Sequence, residues 1–234
     1  MKVRKSNPAQ SIGACILGYR NSSLIICPNR LLQHDRIFLD AVQLVRRELE
    51  FYVIPEVAMP GGTIDYFLVA MSGVSISDYV GIETQSLDTT ASGAIWSARN
   101  DLARGQYGEG YKYGINWKMS AKTILVQMHH KAAAFEDLGR KLVLVIQREF
   151  FDYVTQVFRT RHLHDTTDVD SIHFHIYDCI RLNDQFNISL VSRKSTNVSG
   201  IEEMLKLRES TTISEAEVFD KIRAKLPTAR RLSV

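Results

Sequence analysis

Apolar positions along the chain switch between alternation, short runs and helical spacing, which predicts an α/β protein. Ser23-Leu24-Ile25-Ile26 reads as a strand, followed by a turn at Cys27-Pro28-Asn29. Phe38, Ala41, Val45 and Leu49 recur at helical spacing and predict a helix from about Leu31 to Leu49. Phe51 to Ile54 reads as a strand stopped by Pro55. Thr63 to Met71 and Asp78 to Thr84 form a hairpin around the turn region Ser72 to Ser77. Residues 86–116, rich in Gly, Ser, Thr and Asn, read as one long loop, a feature that is often functional in a compact domain.

The second half is more regular. Ala121, Leu125, Met128, Ala132 and Phe135 place a buried stripe on a helix from Met119 to Phe135. Lys141 to Ile146 is a short apolar run suited to a central strand, and Glu149 to Phe158 is helical. Arg159 to Asp170 is polar and irregular. Ile172 to Asp178 and Phe186 to Val191 predict two more strands, and Ile201 to Leu207 and Glu215 to Leu226 two closing helices. Thr212 and Glu215 have capping-box spacing for the last helix. This order predicts a mixed central sheet flanked by helices. The expected division is an N-terminal segment 1–30, a core 31–160, and C-terminal strands and helices 161–234 packed on that core.

Composition narrows the function only slightly. The 234 residues are 45% hydrophobic and 24% charged, enough apolar material for a proper core. A net charge of +3 permits a nucleic-acid partner without requiring one. Three cysteines, Cys15, Cys27 and Cys179, are too few and odd in number for a disulfide framework, which points to a reducing compartment. The basic start, Met1 to Lys5, is not followed by the apolar region of a secretory signal, and no run approaches the ~18 apolar residues of a membrane span. A cytoplasmic location is the expectation.

The candidate chemistry lies in the hairpin. Asp65 sits within the apolar run Thr63-Ile64-Asp65-Tyr66-Phe67, and Glu83 near the end of the next strand. Acids in apolar strands are costly to bury unless paired. Side chains two apart share a strand face, so Glu83 and Gln85 point one way and Thr84 the other. With the hairpin paired, Asp65 can lie near Glu83, and Glu56 can reach the same edge. Carboxylates of this kind, with the Thr84 carbonyl as a further oxygen ligand, suit Mg²⁺. Taken singly, each acid is more simply a solvated or Lys/Arg-paired residue.

These residues carry a family resemblance. An Asp on one strand and an acidic-x-Lys on the next is the signature of the PD-(D/E)xK nucleases, here with Gln85 in place of the Lys. Ile26-Cys27-Pro28-Asn29-Arg30, Ile64-Asp65-Tyr66, and Gly81-Ile82-Glu83-Thr84-Gln85 followed by Asp88 resemble the NotI-type restriction endonucleases, in order, from about Cys15 to Val157. The helix around Lys122 to Lys131 is similar to the family's post-motif helix. The resemblance implies a restriction-endonuclease-like core and Mg²⁺-dependent, site-specific cleavage of double-stranded DNA by a homodimer, with a cognate DNA methyltransferase in the same system. Asp65 and Glu83 would hold the metal, with Glu56 a third acid and Gln85 near the attacking water. The products would carry 5′-phosphates. Cys15 and Cys27 look like the last two ligands of the family's four-cysteine iron site, also a zinc-compatible set. The partner pair would lie upstream, so a chain beginning downstream of the true start is the expectation. A catalytically impaired DNA-binding protein of the same fold, or a repair or phage-defence nuclease, is the alternative.

Other candidates are weaker. His162 with His164, and His173 with His175, could each share a strand face and bind a metal, but nothing completes a zinc spacing. Cys179 reads as a core residue. Lys118, Lys122 and Lys131 could touch phosphate or simply form a solvated helix face. The stretch Arg99 to Lys118, with Arg99, Arg104 and Lys112 among Tyr107, Tyr111, Tyr113 and Trp117, is the expected DNA-contact element.

Overall fold

A computed structural model describes residues 3–4, 7–11, 14–45, 50–90, 92–106, 110–207, 214–225 and 227. The chain begins with β1 (Val3–Arg4), β2 (Asn7–Ser11) and the hairpin β3 (Ile16–Tyr19) and β4 (Ser22–Ile25). Then come α1 (Arg36–Ala41), β5 (Glu50–Met59), β6 (Gly62–Ser72), β7 (Ser75–Gln85), β8 (Thr89–Thr90), α2 (Ser92–Ala103), β9 (Gly114–Ile115) and α3 (Trp117–Asp137). The rest is β10 (Lys141–Gln147), α4 (Arg148–Val157), β11 (His164–Asp165), β12 (Ile172–Leu182), β13 (Gln185–Thr196), α5 (Val198–Leu205) and α6 (Glu215–Lys225).

Seven strands form one sheet in the order β11-β13-β12-β10-β7-β6-β5. β10 is central and runs parallel to β7 and β12, while the remaining pairs are antiparallel. Its period-2 faces divide the core. Leu142, Leu144 and Ile146 pack with α3, α4 and α5 on one side. Val143 and Val145 pack with Ile37, Phe38 and Ala41 of α1 on the other. The sheet is therefore covered on both faces, as expected for a strand buried on both sides. All five members of the expected α3 stripe are buried.

Several boundaries differ from the sequence expectations, each for a local reason. The helix expected over 31–49 is a short α1 between 3₁₀ turns at Gln33–Asp35 and Val42–Leu44. His34 and Asp35 both take φ 55°, a left-handed conformation that interrupts helix and that His and Asp tolerate better than most residues. Leu49 lies outside the described residues. Pro55 does not stop its strand. β5 is the sheet's edge, where a missing N–H breaks no ladder, and Pro55 pairs with Tyr66. The expected loop 86–116 contains a helix, α2, whose Ile95 and Trp96 pack on Ile26 of the N-terminal segment. The last helix is capped by a reciprocal pair: Ser214 N–H donates to Glu217 Oε2, and Glu217 N–H to Ser214 Oγ. The expected cap Thr212 lies outside the described residues.

The N-terminal hairpin is tied to the end of the central strand. Gln147 Oε1 accepts from Ile25 N–H at 2.8 Å, and Gln147 Nε2 donates to Ser23 O at 2.6 Å. Ile25 O accepts from Leu87 N–H just beyond β7. This end of the sheet, where the parallel strands β7 and β10 finish, is where the acidic residues lie. Among the described residues no helix is long and apolar enough to cross a membrane.

Candidate active site

The hairpin β6–β7 turns on Gly73 and Val74, with Gly73 at φ 61°, and its register brings the two acids face to face. Tyr66 pairs with Ile82 and Phe67 with Gly81, so Asp65 falls opposite Glu83 at the end of the ladder. On the other side of β6, Pro55 pairs with Tyr66 and Val57 with Ile64, so Glu56 falls opposite Asp65. Glu56 stands at φ 53° with an exposed side chain. It makes its charge felt at Tyr66, whose phenol is held above its ordinary value by burial and then by Asp65 and Glu56.

Asp65 is oriented by two donors. Its Oδ2 accepts from Thr84 N–H at 2.8 Å and from Thr84 Oγ1 at 2.9 Å. Among the described residues, its Oδ1 has no hydrogen-bond donor. Glu83 is buried, and its Oε1 accepts from Lys131 Nζ of α3 at 2.7 Å. The same ammonium donates to Thr63 O at 2.7 Å. Burial pushes the Glu83 carboxyl up to about 7; the Lys131 hydrogen bond works against that rise and the Asp65 charge adds to it. Two carboxylates on facing positions, one with a raised pKa, form a pair that gains from a cation between them. The donors are hard oxygens, the chemistry Mg²⁺ prefers. Among the described residues no three His, Cys, Asp or Glu groups converge on one metal position, so this set is two carboxylates and whatever backbone oxygen and water complete it. Gln85 follows on the Glu83 face, its Nε2 donating to Ser86 O at 2.5 Å.

From the sequence, Lys131 groups with Lys118 and Lys122 as a phosphate contact or a solvated helix face. Lys118 and Lys122 are exposed, but Lys131 is buried in the site. A signal was available. Position 131 lies three after Met128 and four before Phe135, on the buried stripe itself, and a lysine there needs an acidic partner. Two glycines make the approach possible. A Cβ on Gly61 would lie 2.5 Å from His130 O, and one on Gly62 3.2 Å from Lys131 Cε.

The remaining candidates are spread out. Arg99 is on α2, its Nε donating to Ser11 O at 3.0 Å, and Arg104 pairs with Asp101 at 2.6 Å. Lys112 is exposed in the segment leading to β9, and Tyr107 lies outside the described residues. Tyr113 donates to Gly18 O and packs near Tyr19, which tethers this segment to the β3–β4 hairpin. Cys15 and Cys27 come together: Ile26 N–H donates to Cys15 O at 3.0 Å, and burial and then Cys27 raise the Cys15 thiol pKa. They supply two sulfurs, half of a four-sulfur set. Cys179 is on β12. His173 and His175 share the sheet face that carries Val143 and Val145 and are fully buried. His173 is bonded by Thr166 Oγ1 and Asp170 O, whereas among the described residues neither ring nitrogen of His175 has a hydrogen-bond partner. His162 pairs with Glu203, and His164 with Asp170 at 3.5 Å.

A mixed sheet with helices on both faces, carrying facing acids at the end of a strand pair, defines a nuclease-like core. The model of the family Restriction endonuclease NotI matches residues 3–184, and the chain belongs to that family. It is accordingly a restriction endonuclease, a hydrolase acting on DNA. No curated protein matches the chain.

Proposed function

We propose that the chain is a type II restriction endonuclease that hydrolyses double-stranded DNA at a specific site with Mg²⁺ as cofactor. The observation that carries this reading is the placement of Asp65 opposite Glu83, with Asp65 held by Thr84 and Glu83 by Lys131. Asp65, Glu83 and the Thr84 carbonyl are the groups to hold Mg²⁺, and Glu56 is the acid on the neighbouring edge strand. When bound, the cation neutralises charge on the phosphate and makes water a better nucleophile. Gln85 carries no charge, but its amide can hydrogen-bond a water or a phosphate oxygen. In-line attack of water on phosphorus leaves a 5′-phosphate and a 3′-hydroxyl. Arg99, Arg104, Lys112, Lys118 and Lys122 are the side chains proposed to meet DNA. A homodimer fits the two-fold symmetry of palindromic sites. A methyltransferase that protects host DNA completes the system. Cys15 and Cys27 are proposed to hold iron or zinc together with further thiolates.

The experiment is digestion of unmodified plasmid and phage DNA with Mg²⁺ or with EDTA. Discrete fragments with Mg²⁺, absent for Asp65→Ala and Glu83→Ala, are the expected result. Tight DNA binding without cleavage across several DNAs and metals would replace this reading with that of a DNA-binding protein that keeps the fold.

A further inference from the structure

We infer that Lys131 is the active-site lysine of this nuclease, delivered from a helix instead of from the strand, as a positioning residue that fixes Glu83 for the cation and substrate. The inference rests on the nuclease reading above. On the strand, the residue two beyond Glu83 on the same face is Gln85, which brings no charge and whose amide is engaged with Ser86 O. The positive charge at Glu83 comes from 48 residues later in the chain. The Lys131 and Glu83 side chains are 7% and 4% exposed, so water screens their interaction little.

A purely structural role does not account for this placement. Position 131 is on the stripe of α3 that packs against the sheet, where an apolar side chain would add stability without the cost of desolvating two charges. The chain instead buries an ammonium; Gly61 lets the α3 backbone at His130 come close, and Gly62 leaves room for the Lys131 side chain, both at positive φ. The ammonium is held from two directions, by Thr63 O and by Glu83 Oε1. Thr63 is two residues before Asp65 on the same strand, so one amine gauges both strands of the acidic hairpin. Lysine has three N–H donors, and two bonds leave the third for a phosphate oxygen or the water beside it. One Glu83 oxygen is thereby committed, which sets the rotation of the carboxyl group that meets the cation.

The test is single-turnover cleavage, at saturating Mg²⁺, of a DNA that the wild type cuts. The variants are Lys131→Gln, Lys131→Arg and the exchange Lys131→Gln/Gln85→Lys, each checked for folding by circular dichroism and for DNA binding by gel shift. The expected result for Lys131→Gln is a loss of about 100-fold in rate with DNA binding within about threefold, as for the removal of one preorganised donor. The exchange variant, with its lysine returned to the strand, is expected to recover about tenfold of that loss, a gain that restored packing would not give. A Lys131→Gln rate within about threefold of wild type, or an exchange variant no faster than Lys131→Gln, overturns the inference. If Lys131→Gln does not fold, Lys131→Arg carries the test through its Mg²⁺ dependence. A half-saturating Mg²⁺ concentration raised about fivefold or more supports the inference, and an unchanged rate and half-saturation overturn it. A wild type that cuts no DNA, or Glu83→Gln as fast as wild type, overturns the nuclease reading and this inference with it. An active wild type, an inactive Glu83→Gln and a fully active Lys131→Gln overturn the role of Lys131 alone.

Discussion

Lys131 on α3 and Glu83 on β7 are joined by a 2.7 Å ion pair with both side chains buried. The pair ties the helix that covers the sheet to the strand that carries the acid. Breaking a buried pair by removing one partner generally costs ~3–5 kcal/mol, because the other charge is stranded. On the proposed reading, stability and chemistry meet in the same two residues, and variants here must be read for both.

Thr84 positions Asp65 by its backbone N–H and its hydroxyl. Thr84→Val keeps the shape and the backbone bond and removes the hydroxyl bond. A hydrogen bond to a charged group contributes about 1.5–3 kcal/mol. Binding of Mn²⁺, followed by calorimetry, is expected to weaken about tenfold while the melting temperature moves little. Unchanged Mn²⁺ affinity would show that the hydroxyl does not set the Asp65 rotamer.

If Glu83 holds a cation as proposed, protons compete with it there. Its carboxyl is raised to about 7, by burial first, from an ordinary 4.5. Between these values the folded, metal-free protein holds a proton that the unfolded chain does not. That contribution therefore favours folding as pH falls from 7 towards 4.5 and is lost as pH rises through 7. Metal binding runs the other way. Half-saturating Mg²⁺ is expected to rise about tenfold per pH unit below 7 and to level off above it. A flat Mg²⁺ requirement from pH 6 to pH 8 would contradict this.

His175, on the opposite sheet face, is expected to make the fold sensitive to acid. Burial, then the charges of Arg193 and His173, depress it to about 3 from an ordinary 6.5. The unfolded chain takes up the proton first, so stability present above pH 6.5 is lost as pH falls towards 3. The full span is on the order of 5 kcal/mol. His175→Leu removes both the titration and the two unpartnered nitrogens. Urea denaturation is expected to show the variant gaining on wild type steadily from pH 6.5 to pH 4. Parallel stability curves for the two proteins would mean that His175 keeps its ordinary pKa.

Gly61 is at φ 89°, with its missing Cβ 2.5 Å from the His130 carbonyl oxygen. Backbone cannot move aside as a flexible side chain can. Gly61→Ala is expected to destabilise by roughly 2–3 kcal/mol and to lower activity further by shifting α3 at Lys131. Thermal melting and the cleavage rate measured together check this. A stable but inactive variant would locate the effect in the site, and a fully active one would show that α3 adjusts.

The acidic hairpin was legible because alternation fixes which residues share a face, and Asp65 and Glu83 interrupt an otherwise apolar pattern. The α3 stripe was legible because five buried positions repeat at helical spacing. The burial of Lys131 is not legible from its charge, because lysines are normally solvated; its position between Met128 and Phe135 on the buried stripe is what marks it. α2 was hidden because little of it faces the core, with Ile95 and Trp96 buried and Leu102 exposed. The start of α1 depends on two left-handed residues, a conformation that hydrophobic periodicity does not report. That Pro55 lies on an edge strand, where it is tolerated, depends on the sheet order and not on the local sequence.

The glycine pair at 61 and 62 also bears on how the enzyme comes into being. The two acids are brought together by a tight hairpin, a local event in a folding chain. Lys131 must arrive across 68 residues, from Thr63 to the far part of α3, and such non-local contacts form late. Until α3 settles into the space above the glycines, the hairpin holds two acids with no lysine between them and its apolar face to water. The docking of α3 completes the packing around the hairpin and the Lys131–Glu83 pair together, so on the proposed reading one folding event serves both the core and the site.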